Sequence, residues 1–414
     1  MGICLGCAAG TPPDEMVPIA AVACELTEAA PESVGMDSSG LQDIDRAVEK
    51  SIKDGELPGA VVLVARHGKV AYLKAFGQRA TTPTPETMTT DTIFDIASLT
   101  KVVATTPAVM QLVDRGVVRL GDPVKRYLPK FIGGGKDEIT VGQLLTHYSG
   151  LRPDFDLSRE WSGYDATMDE LWKEKTVAVP GKEFAYSDLN FIALAEIVRV
   201  TSGQKLDAYA QEHIFAPLGM NETSFLPPVA WRARIAPTEP RRNTLPRPKG
   251  NATAQPDRKL DEMVRGEVHD PTTWRMEGVS GHAGVFSSAR DLAIYAQTLL
   301  NRGVGCGNRL LSEAAVAAMT RPQSPAGAAQ VRGYGWDIAS TYASPQGDLF
   351  AGGFGHTGFT GTSLWIHPPS DSFVIVLSNR VHPDGGKSIN HLRSVIANIV
   401  AASMTNNDII HVIQ

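Results

Sequence analysis

Two residues at one-turn spacing stand out because together they could form an activated nucleophile. Ser98 and Lys101 lie near the start of an apolar run that recurs at helical spacing and ends at Arg115-Gly116. A helical rise of about 1.5 Å per residue brings the hydroxyl and the amine within hydrogen-bond reach. Burial disfavours an ammonium, and a neutral lysine can accept the serine proton. The same spacing also allows Ser98 to cap the helix while Lys101 reaches to solvent.

The four-residue pattern is short and occurs a second time in the chain. Ser202 and Lys205 repeat it beside a Thr-Ser-Gly turn, which predicts a structural role there. A serine and a lysine at this spacing therefore do not identify an active site by themselves. Other residues that could act with Ser98 must be found elsewhere in the sequence.

Two further stretches carry polar chemistry beside turn residues. Tyr186 and Asp188 follow Pro180-Gly181 and precede a helical pattern, so both side chains could face one cleft. The alternative is that the Tyr186 hydroxyl bonds to the backbone and that Asp188 caps the helix. His356 lies in a glycine-dense strand region, where it could contact an anionic ligand or titrate near neutrality. A structural histidine at a sheet edge is equally compatible with that stretch.

In chain order these residues form three motifs: Ser98-Leu99-Thr100-Lys101, Tyr186-Ser187-Asp188 and His356-Thr357-Gly358. Their order and spacing resemble the serine β-lactamase and penicillin-binding-protein superfamily, and the chain looks most like its class C β-lactamase-like branch. Two more segments, Glu267-Val268-His269-Asp270 and Gly281-His282-Ala283-Gly284, resemble a subgroup of periplasmic penicillin-binding-type serine hydrolases. The resemblance extends over about residues 32–402.

The resemblance implies a role for each motif residue. Ser98 would be acylated, Lys101 would accept its proton, and Tyr186 would relay a proton to the leaving group. The backbone N–H groups of Ser98 and Phe359 would form the oxyanion hole, where charge develops in the transition state. The pair Thr357-Gly358 would line the substrate site.

Two residues depart from the pattern of family members that hydrolyse β-lactams. Asp188 stands where those members often carry an asparagine that donates an amide N–H, and an ionised carboxylate would instead favour a charged Lys101. His356 stands where many β-lactamases carry a lysine. The resemblance implies that His356 faces a substrate carboxylate or supports the Tyr186 side of the hydrogen-bond network. Both departures argue against efficient β-lactamase activity.

The secondary structure predicted around these residues differs between the middle and the ends of the chain. Strands are predicted at 59–66 and 70–77, joined as a hairpin, and at 362–367 and 372–378. Helices are predicted at 41–52, 139–149, 168–175, 190–201, 205–215, 288–300 and 388–402. Together with the resemblance, this pattern predicts an α/β, β-lactamase/transpeptidase-like fold whose antiparallel sheet is built from both chain ends and flanked by helices. The predicted units are an N-terminal segment 1–31, a sheet domain 32–105 and 280–402, an inserted, mostly helical domain 106–279 with a long loop 227–271, and a tail 403–414.

Composition limits the class of protein and of partner. Of the 414 residues, 43% are hydrophobic and 20% charged, as in ordinary soluble globular proteins. A net charge of −6 argues against nucleic acid as the main partner, and no apolar stretch is long enough for a transmembrane segment. Cys4, Cys7 and Cys24 lie near the N-terminus and only Cys306 lies beyond, so neither a disulfide framework nor a metal cluster is predicted.

The N-terminal segment resembles a signal peptide only in part. Residues 19–24 end in an A-x-A-like site, and Cys24 could alternatively carry a lipid. The apolar region before them is short and is broken by Pro18. We therefore expect a periplasmic or extracytoplasmic protein with an atypical or truncated signal, while a cytoplasmic location stays open.

These observations and the resemblance predict a serine hydrolase that works through an acyl-enzyme without a metal or an organic cofactor. Its substrate would be an ester or a D-alanyl or β-lactam-type amide, carried by a small molecule or a peptidoglycan fragment. The alternative is a non-catalytic penicillin-recognising or peptidoglycan-binding module.

Overall fold

The computed structural model describes residues 24–245 and 261–405. Within these ranges a nine-stranded sheet forms the centre of the fold. Thr27–Glu28 pairs with Lys69–Ala80 in parallel, and all the other strand pairs of this sheet are antiparallel. In spatial order the strands are Thr27–Glu28, Lys69–Ala80, Gly59–Arg66, Ser372–Ser378, Ser363–His367, Phe354–Thr357, Asp337–Ala339 and Val331–Arg332, and Glu86–Thr87 also pairs with Lys69–Ala80.

The middle of the sheet joins segments from both ends of the described chain. Gly59–Arg66 forms a hairpin with Lys69–Ala80 through His67 and Gly68, which both have positive φ angles. The other edge of the strand Gly59–Arg66 pairs along its length with Ser372–Ser378. Every residue of these two central strands is buried, because both faces of the sheet are covered. The predicted hairpin and the predicted sheet built from both ends are confirmed.

Apolar side chains at alternate positions of the strands form a hydrophobic core on each face of the sheet. Val62 packs on one face with the helices near both chain ends, and Val61 packs on the other face with the remaining helices. This alternation follows from the two-residue period of a strand. The α-helices of the described ranges are Ser38–Leu41, Asp43–Lys53, Thr106–Asp114, Val141–Leu145, Tyr164–Lys173, Asp188–Ser202, Leu206–Ala210, Arg241–Thr244, Pro271–Arg275, Ala289–Leu300, Glu313–Thr320 and Asn390–Ala402.

Most predicted helices lie within a few residues of observed ones, and two are shorter than expected. The pattern at 139–149 forms only Val141–Leu145, and the pattern at 205–215 divides into Leu206–Ala210 and the π-helical Gln211–Phe215. In the predicted loop 227–271, the described part contains a 3₁₀ segment, Val229–Arg234, and the helix Arg241–Thr244. Residues 246–260 of that loop lie outside the described ranges.

A small three-stranded sheet introduces the segment that carries Ser98. Its strands are Phe94–Asp95, Val285–Ser287 and Ser224–Phe225, with Val285–Ser287 in the middle. Phe94–Asp95 leads directly into a 3₁₀ turn at Ala97–Leu99, here called the nucleophile turn. A π-helical segment, Lys101–Thr105, follows and continues as the α-helix Thr106–Asp114. The helix predicted after Ser98 is therefore present, but its first turns are irregular.

A disulfide joins Cys24 to Cys306, so the expectation that the cysteines form no such framework is wrong. The two residues are 282 positions apart, and no local spacing signals a pairing over that distance. The bond connects the start of the described chain to the turn between Val304–Gly305 and Asn308–Arg309. A Cys24 sulfur in this bond cannot also carry a lipid.

Candidate active site

The nucleophile turn is held in a strained conformation by buried hydrogen bonds. Ala97 has a φ of +46°, a region that costs a non-glycine residue about 1–2 kcal/mol. The Asp95 carboxylate accepts the N–H of Ala97 at 2.8 Å and the N–H of His269 at 2.7 Å. The Thr360 hydroxyl donates to the Asp95 carbonyl at 2.7 Å. These contacts fix the backbone on which Ser98 is presented.

The Lys101 amine lies at the centre of the buried polar groups behind Ser98. Its side chain is fully buried, and Nζ donates to Ser98 Oγ at 2.9 Å and to the His282 carbonyl at 3.1 Å. Nζ also forms an ion pair with the Asp188 carboxylate at 2.7 Å. Burial disfavours the ammonium, but Asp188 and Tyr186 outweigh it and raise the pKa of Lys101. In the resting site Lys101 is therefore charged and donates to Ser98.

Asp188 reaches Lys101 because of where its helix begins. Ser187 is the N-cap of Asp188–Ser202 and has extended backbone angles, and its hydroxyl donates to the Arg152 carbonyl at 2.6 Å. Asp188 is the first helical residue, so its carboxylate projects from the helix start to the Lys101 amine. The alternative that Asp188 acts as the helix cap is wrong.

Tyr186 is held between two aromatic rings beside the lysine. Its ring stacks on His147 with centroids 4.3 Å apart and on Tyr342 at 5.1 Å, and the Lys101 Nζ lies 5.0 Å from its centre. The Nδ1 of His147 accepts the Ser187 N–H at 3.0 Å, so the neutral ring carries its proton on Nε2. Burial and nearby cations lower the pKa of His147 well below its usual range. His147 was not predicted from the sequence, because its contact with Tyr186 depends on the fold.

His356 lies in the strand Phe354–Thr357 and is only 4% exposed. Its Nδ1–H donates to the Thr357 carbonyl at 2.8 Å, while Nε2 has no hydrogen-bond partner among the described residues. Burial, followed by the charges of Arg332 and Lys101, lowers the pKa of His356 well below its usual range. The buried position of His356 and its lowered pKa argue against the expectation that it titrates near neutrality and binds a carboxylate as a cation.

The turn after His356 brings a second backbone segment against the nucleophile turn. A Cβ atom added to Gly358 would lie 2.5 Å from the Ile96 carbonyl oxygen, so only glycine permits this approach. Phe359 follows directly, and its side chain is 61% exposed in the cleft that also contains Ser98. The Phe359 N–H is thus carried on the segment that faces the nucleophile turn, as an oxyanion hole requires.

The cleft has a volume of about 280 Å³ and brings together some of the predicted residues. Those on its lining are Ser98, Tyr186, Thr357, Gly358 and Phe359, whereas Lys101, Asp188 and His356 lie behind it. The lining also contains Arg380, Asn390 and Arg393, which the sequence analysis missed. Arg393 donates to the Gly358 and Thr362 carbonyls at 3.2 and 2.8 Å and so supports the turn. No sequence motif identifies these three residues as part of a site. The one sequence feature that they share is their position after the central strand Ser372–Ser378.

Two other kinds of feature are absent from residues 24–245 and 261–405. No group of three or more His, Cys, Asp or Glu side chains there could hold a metal ion. None of the described helices is long and apolar enough to cross a membrane. The cleft lining supplies a hydroxyl and a phenol, and an amine and a carboxylate lie directly behind it; together these groups can perform nucleophilic attack and proton transfer.

Comparison with known proteins places this geometry in a family. The model of the family described as Beta-lactamase matches residues 44–398. The chain belongs to the beta-lactamase family. This beta-lactamase-family chain is also 33% identical over 389 residues to a protein of Salmonella schwarzengrund that is provisionally named a D-alanyl-D-alanine carboxypeptidase, with 86% of each chain covered. The enzyme is therefore a serine hydrolase that acts on esters or amides, and the non-catalytic alternative is set aside.

Solved structures show the same fold at low sequence identity. A structure titled a class C beta-lactamase matches with a TM-score of 0.69 and 19% identity, covering 89% of this chain and 98% of the other. A penicillin-binding protein homologue from Caulobacter crescentus matches with a TM-score of 0.68 and 21% identity, covering 89% and 99%. These likenesses confirm the predicted α/β, β-lactamase-like fold.

Proposed function

We propose that this beta-lactamase-family enzyme is a carboxypeptidase that removes the C-terminal D-alanine from a peptidoglycan-type peptide. The observation that carries the proposal is Arg380, whose half-buried guanidinium lines the same cleft as Ser98. It lies 4.7 Å from the centre of the ring of Phe359, the residue whose N–H would bind the oxyanion. A guanidinium stays charged at neutral pH and suits a carboxylate better than a neutral histidine does. The name of the Salmonella relative supports the same substrate class.

The chemistry follows from the groups around Ser98. Lys101, once it has lost its extra proton, accepts the hydroxyl proton as Ser98 Oγ attacks the amide carbonyl. The N–H groups of Ser98 and Phe359 stabilise the negative oxygen of the tetrahedral intermediate. Tyr186 passes a proton to the departing amine of D-alanine, and water then hydrolyses the acyl-enzyme.

The disulfide indicates the kind of compartment in which this reaction takes place. Disulfides persist in oxidising compartments and are rare in the cytosol. The bond between Cys24 and Cys306 therefore favours a periplasmic or other extracytoplasmic location. Peptidoglycan-type peptides are accessible there.

The proposal is tested with a matched pair of peptides: diacetyl-L-Lys-D-Ala-D-Ala and the same peptide with a C-terminal amide. We expect the wild type to release D-alanine from the acid, and Ser98→Ala to release none. Ser202→Ala, which changes the serine of the second Ser-x-x-Lys pattern, serves as the control and should keep full activity. Arg380→Gln should lower kcat/KM for the acid about 10–100-fold, the range for a lost hydrogen bond to a charge, with a smaller effect on a neutral nitrophenyl ester. Ester hydrolysis without release of D-alanine would identify an esterase instead.

A further inference from the structure

A buried Asp270–His282 pair lies behind Lys101, in the two sequence segments to which the proposed function gives no role. Asp270 Oδ1 lies 2.8 Å from His282 Nε2, and the His282 side chain is 1% exposed. A carboxylate can only accept, so His282 Nε2 carries a proton. The other ring nitrogen, Nδ1, lies 2.8 Å from the Ser280 hydroxyl. Both ring nitrogens are therefore held.

The backbone of His282 is in turn part of the lysine site. The His282 carbonyl accepts from Lys101 Nζ at 3.1 Å, and the Gly281 carbonyl accepts from the Thr105 hydroxyl at 2.6 Å. Lys101 and Thr105 are the two ends of the π-helical segment. A Cβ atom on Gly281 would lie 2.8 Å from the Phe191 carbonyl carbon, so this backbone is wedged tightly against the helix Asp188–Ser202. A displaced His282 would therefore move the carbonyl oxygen that accepts a hydrogen bond from the Lys101 amine.

Asp270 connects the same pair to the nucleophile turn. Its carboxylate accepts the N–H of Thr273 at 2.7 Å and so caps the short helix Pro271–Arg275. The preceding residue, His269, donates its N–H to the Asp95 carboxylate that holds the turn. One ion pair thus links the backbone beneath Ser98 to the backbone that binds Lys101.

The pair is also charged. Burial opposes the imidazolium, but Asp270 and Asp188 outweigh it and raise the pKa of His282. Burial likewise opposes the Asp270 carboxylate, but the His282 charge holds the pKa of Asp270 below its usual range. The titratable and charged groups that face Lys101 and His282 from the surrounding elements are Asp154, Asp188, Asp270, Tyr186, His147 and His356. Burial and Asp270 raise the pKa of Asp154 to about 7, so it adds little charge below neutrality.

We propose that Asp270 and His282 are positioning residues that hold the Lys101 amine between Ser98 and Asp188, and that the charge of His282 offsets the effect of the Asp270 carboxylate on the proton affinity of that amine. The inference rests on the proposed acylation of Ser98 with Lys101 as base. If His282 alone becomes neutral, Asp270 keeps the hydrogen bond from Thr273 that favours its ionised form, and this uncompensated anion stabilises the Lys101 ammonium. If both become neutral, the net charge beside Lys101 is the same as in the wild type.

The test compares pH profiles of kcat/KM for a neutral nitrophenyl ester in the full-length enzyme. His282→Gln should shift the acid limb, the part of the profile where kcat/KM rises with pH, to higher pH by about one unit. This shift lowers kcat/KM at pH 7 about tenfold. The double variant Asp270→Asn/His282→Gln should return the limb to its wild-type position with a reduced kcat, since the neutral pair positions the carbonyl less firmly. His67→Gln is the matched control, because His67 and Asp371 form an exposed His–Asp pair at 3.1 Å, and its profile should not move.

Each outcome decides the inference. An acid limb that stays in place in a folded His282→Gln variant overturns it. If that variant does not fold, the double variant decides: a wild-type limb with reduced kcat supports the inference, and a wild-type kcat overturns it. A wild-type enzyme that does not acylate at any pH would contradict the proposed function rather than the role of the pair.

Discussion

In the proposed mechanism, the charge of one buried amine controls whether Ser98 can react. Lys101 is paired with Asp188 at 2.7 Å and donates to Ser98 at 2.9 Å, so the resting hydroxyl faces an ammonium and not a base. A protonated lysine cannot accept the hydroxyl proton. We therefore expect acylation to increase as pH rises and Lys101 loses its proton. On this proposal, the carboxylate at position 188 sets the activity at neutral pH through the same equilibrium.

Asp188→Asn tests this account at the scale of a single residue. Without the carboxylate, the pKa of Lys101 falls, so the acid limb of kcat/KM should move to lower pH and activity at pH 7 should rise several-fold. The pH–rate profile for a nitrophenyl ester measures the shift. Asp169→Asn removes an exposed charge from the helix Tyr164–Lys173 and should leave the limb unchanged. An acid limb that moves to higher pH in Asp188→Asn would contradict the assignment of Lys101 as the base.

At the scale of elements, the nucleophile turn is assembled from strands and loops that are far apart in the sequence. The strand Phe94–Asp95 pairs with Val285–Ser287, and the buried Asp95 carboxylate bridges two backbone N–H groups. Because one of those groups belongs to Ala97, the carboxylate stabilises a left-handed residue next to Ser98. The strain at the turn persists because the surrounding elements hold it.

Asp95→Asn should weaken this assembly. An amide presents only one accepting oxygen, and its NH₂ group would face an N–H donor, which leaves a buried group unsatisfied at a cost of about 1–3 kcal/mol. Urea denaturation measures the loss, and the acylation rate should fall with it. Asp37→Asn is the matched control: Asp37 also accepts two backbone N–H groups, but as an exposed N-cap, where asparagine serves equally well. Equal stability of Asp95→Asn and the wild type would disprove the bridging role.

At the scale of the whole molecule, the disulfide connects parts of the chain that sequence places far apart. Cys24 and Cys306 are 282 residues apart, and a cross-link over such a long loop restricts the unfolded chain strongly. Cys24→Ala/Cys306→Ala should therefore lower the free energy of unfolding by about 2–5 kcal/mol. Urea denaturation with and without dithiothreitol measures this, and Cys4→Ala/Cys7→Ala should keep the wild-type response to reduction. Free thiols at both positions in the isolated enzyme, seen by alkylation and mass analysis, would contradict the bond and the proposed location.

Features that depend on neighbouring residues or on motif order could be predicted from the sequence alone. Alternating and helical periods located the hairpin 59–77, the strand 372–378 and the helix beginning near Ser288, because side chains repeat every two or 3.6 residues. The order of three short motifs indicated the family and pointed to Ser98 with Lys101. The periods and each single motif are visible among neighbouring residues, and the order of the motifs is read along the chain, so no tertiary contact is needed to see either signal.

The proton affinities of buried groups and the contacts between distant groups became visible only in the folded chain. The sequence could not show that burial lowers the pKa of His356 or that Asp188 raises the pKa of Lys101, because proton affinity depends on solvent access and on partners from other segments. It likewise could not place Arg380 in the cleft, pair Asp270 with His282 behind the lysine, or join Cys24 to Cys306. Each of these contacts forms when strands and helices pack, and none leaves a periodic trace in the chain.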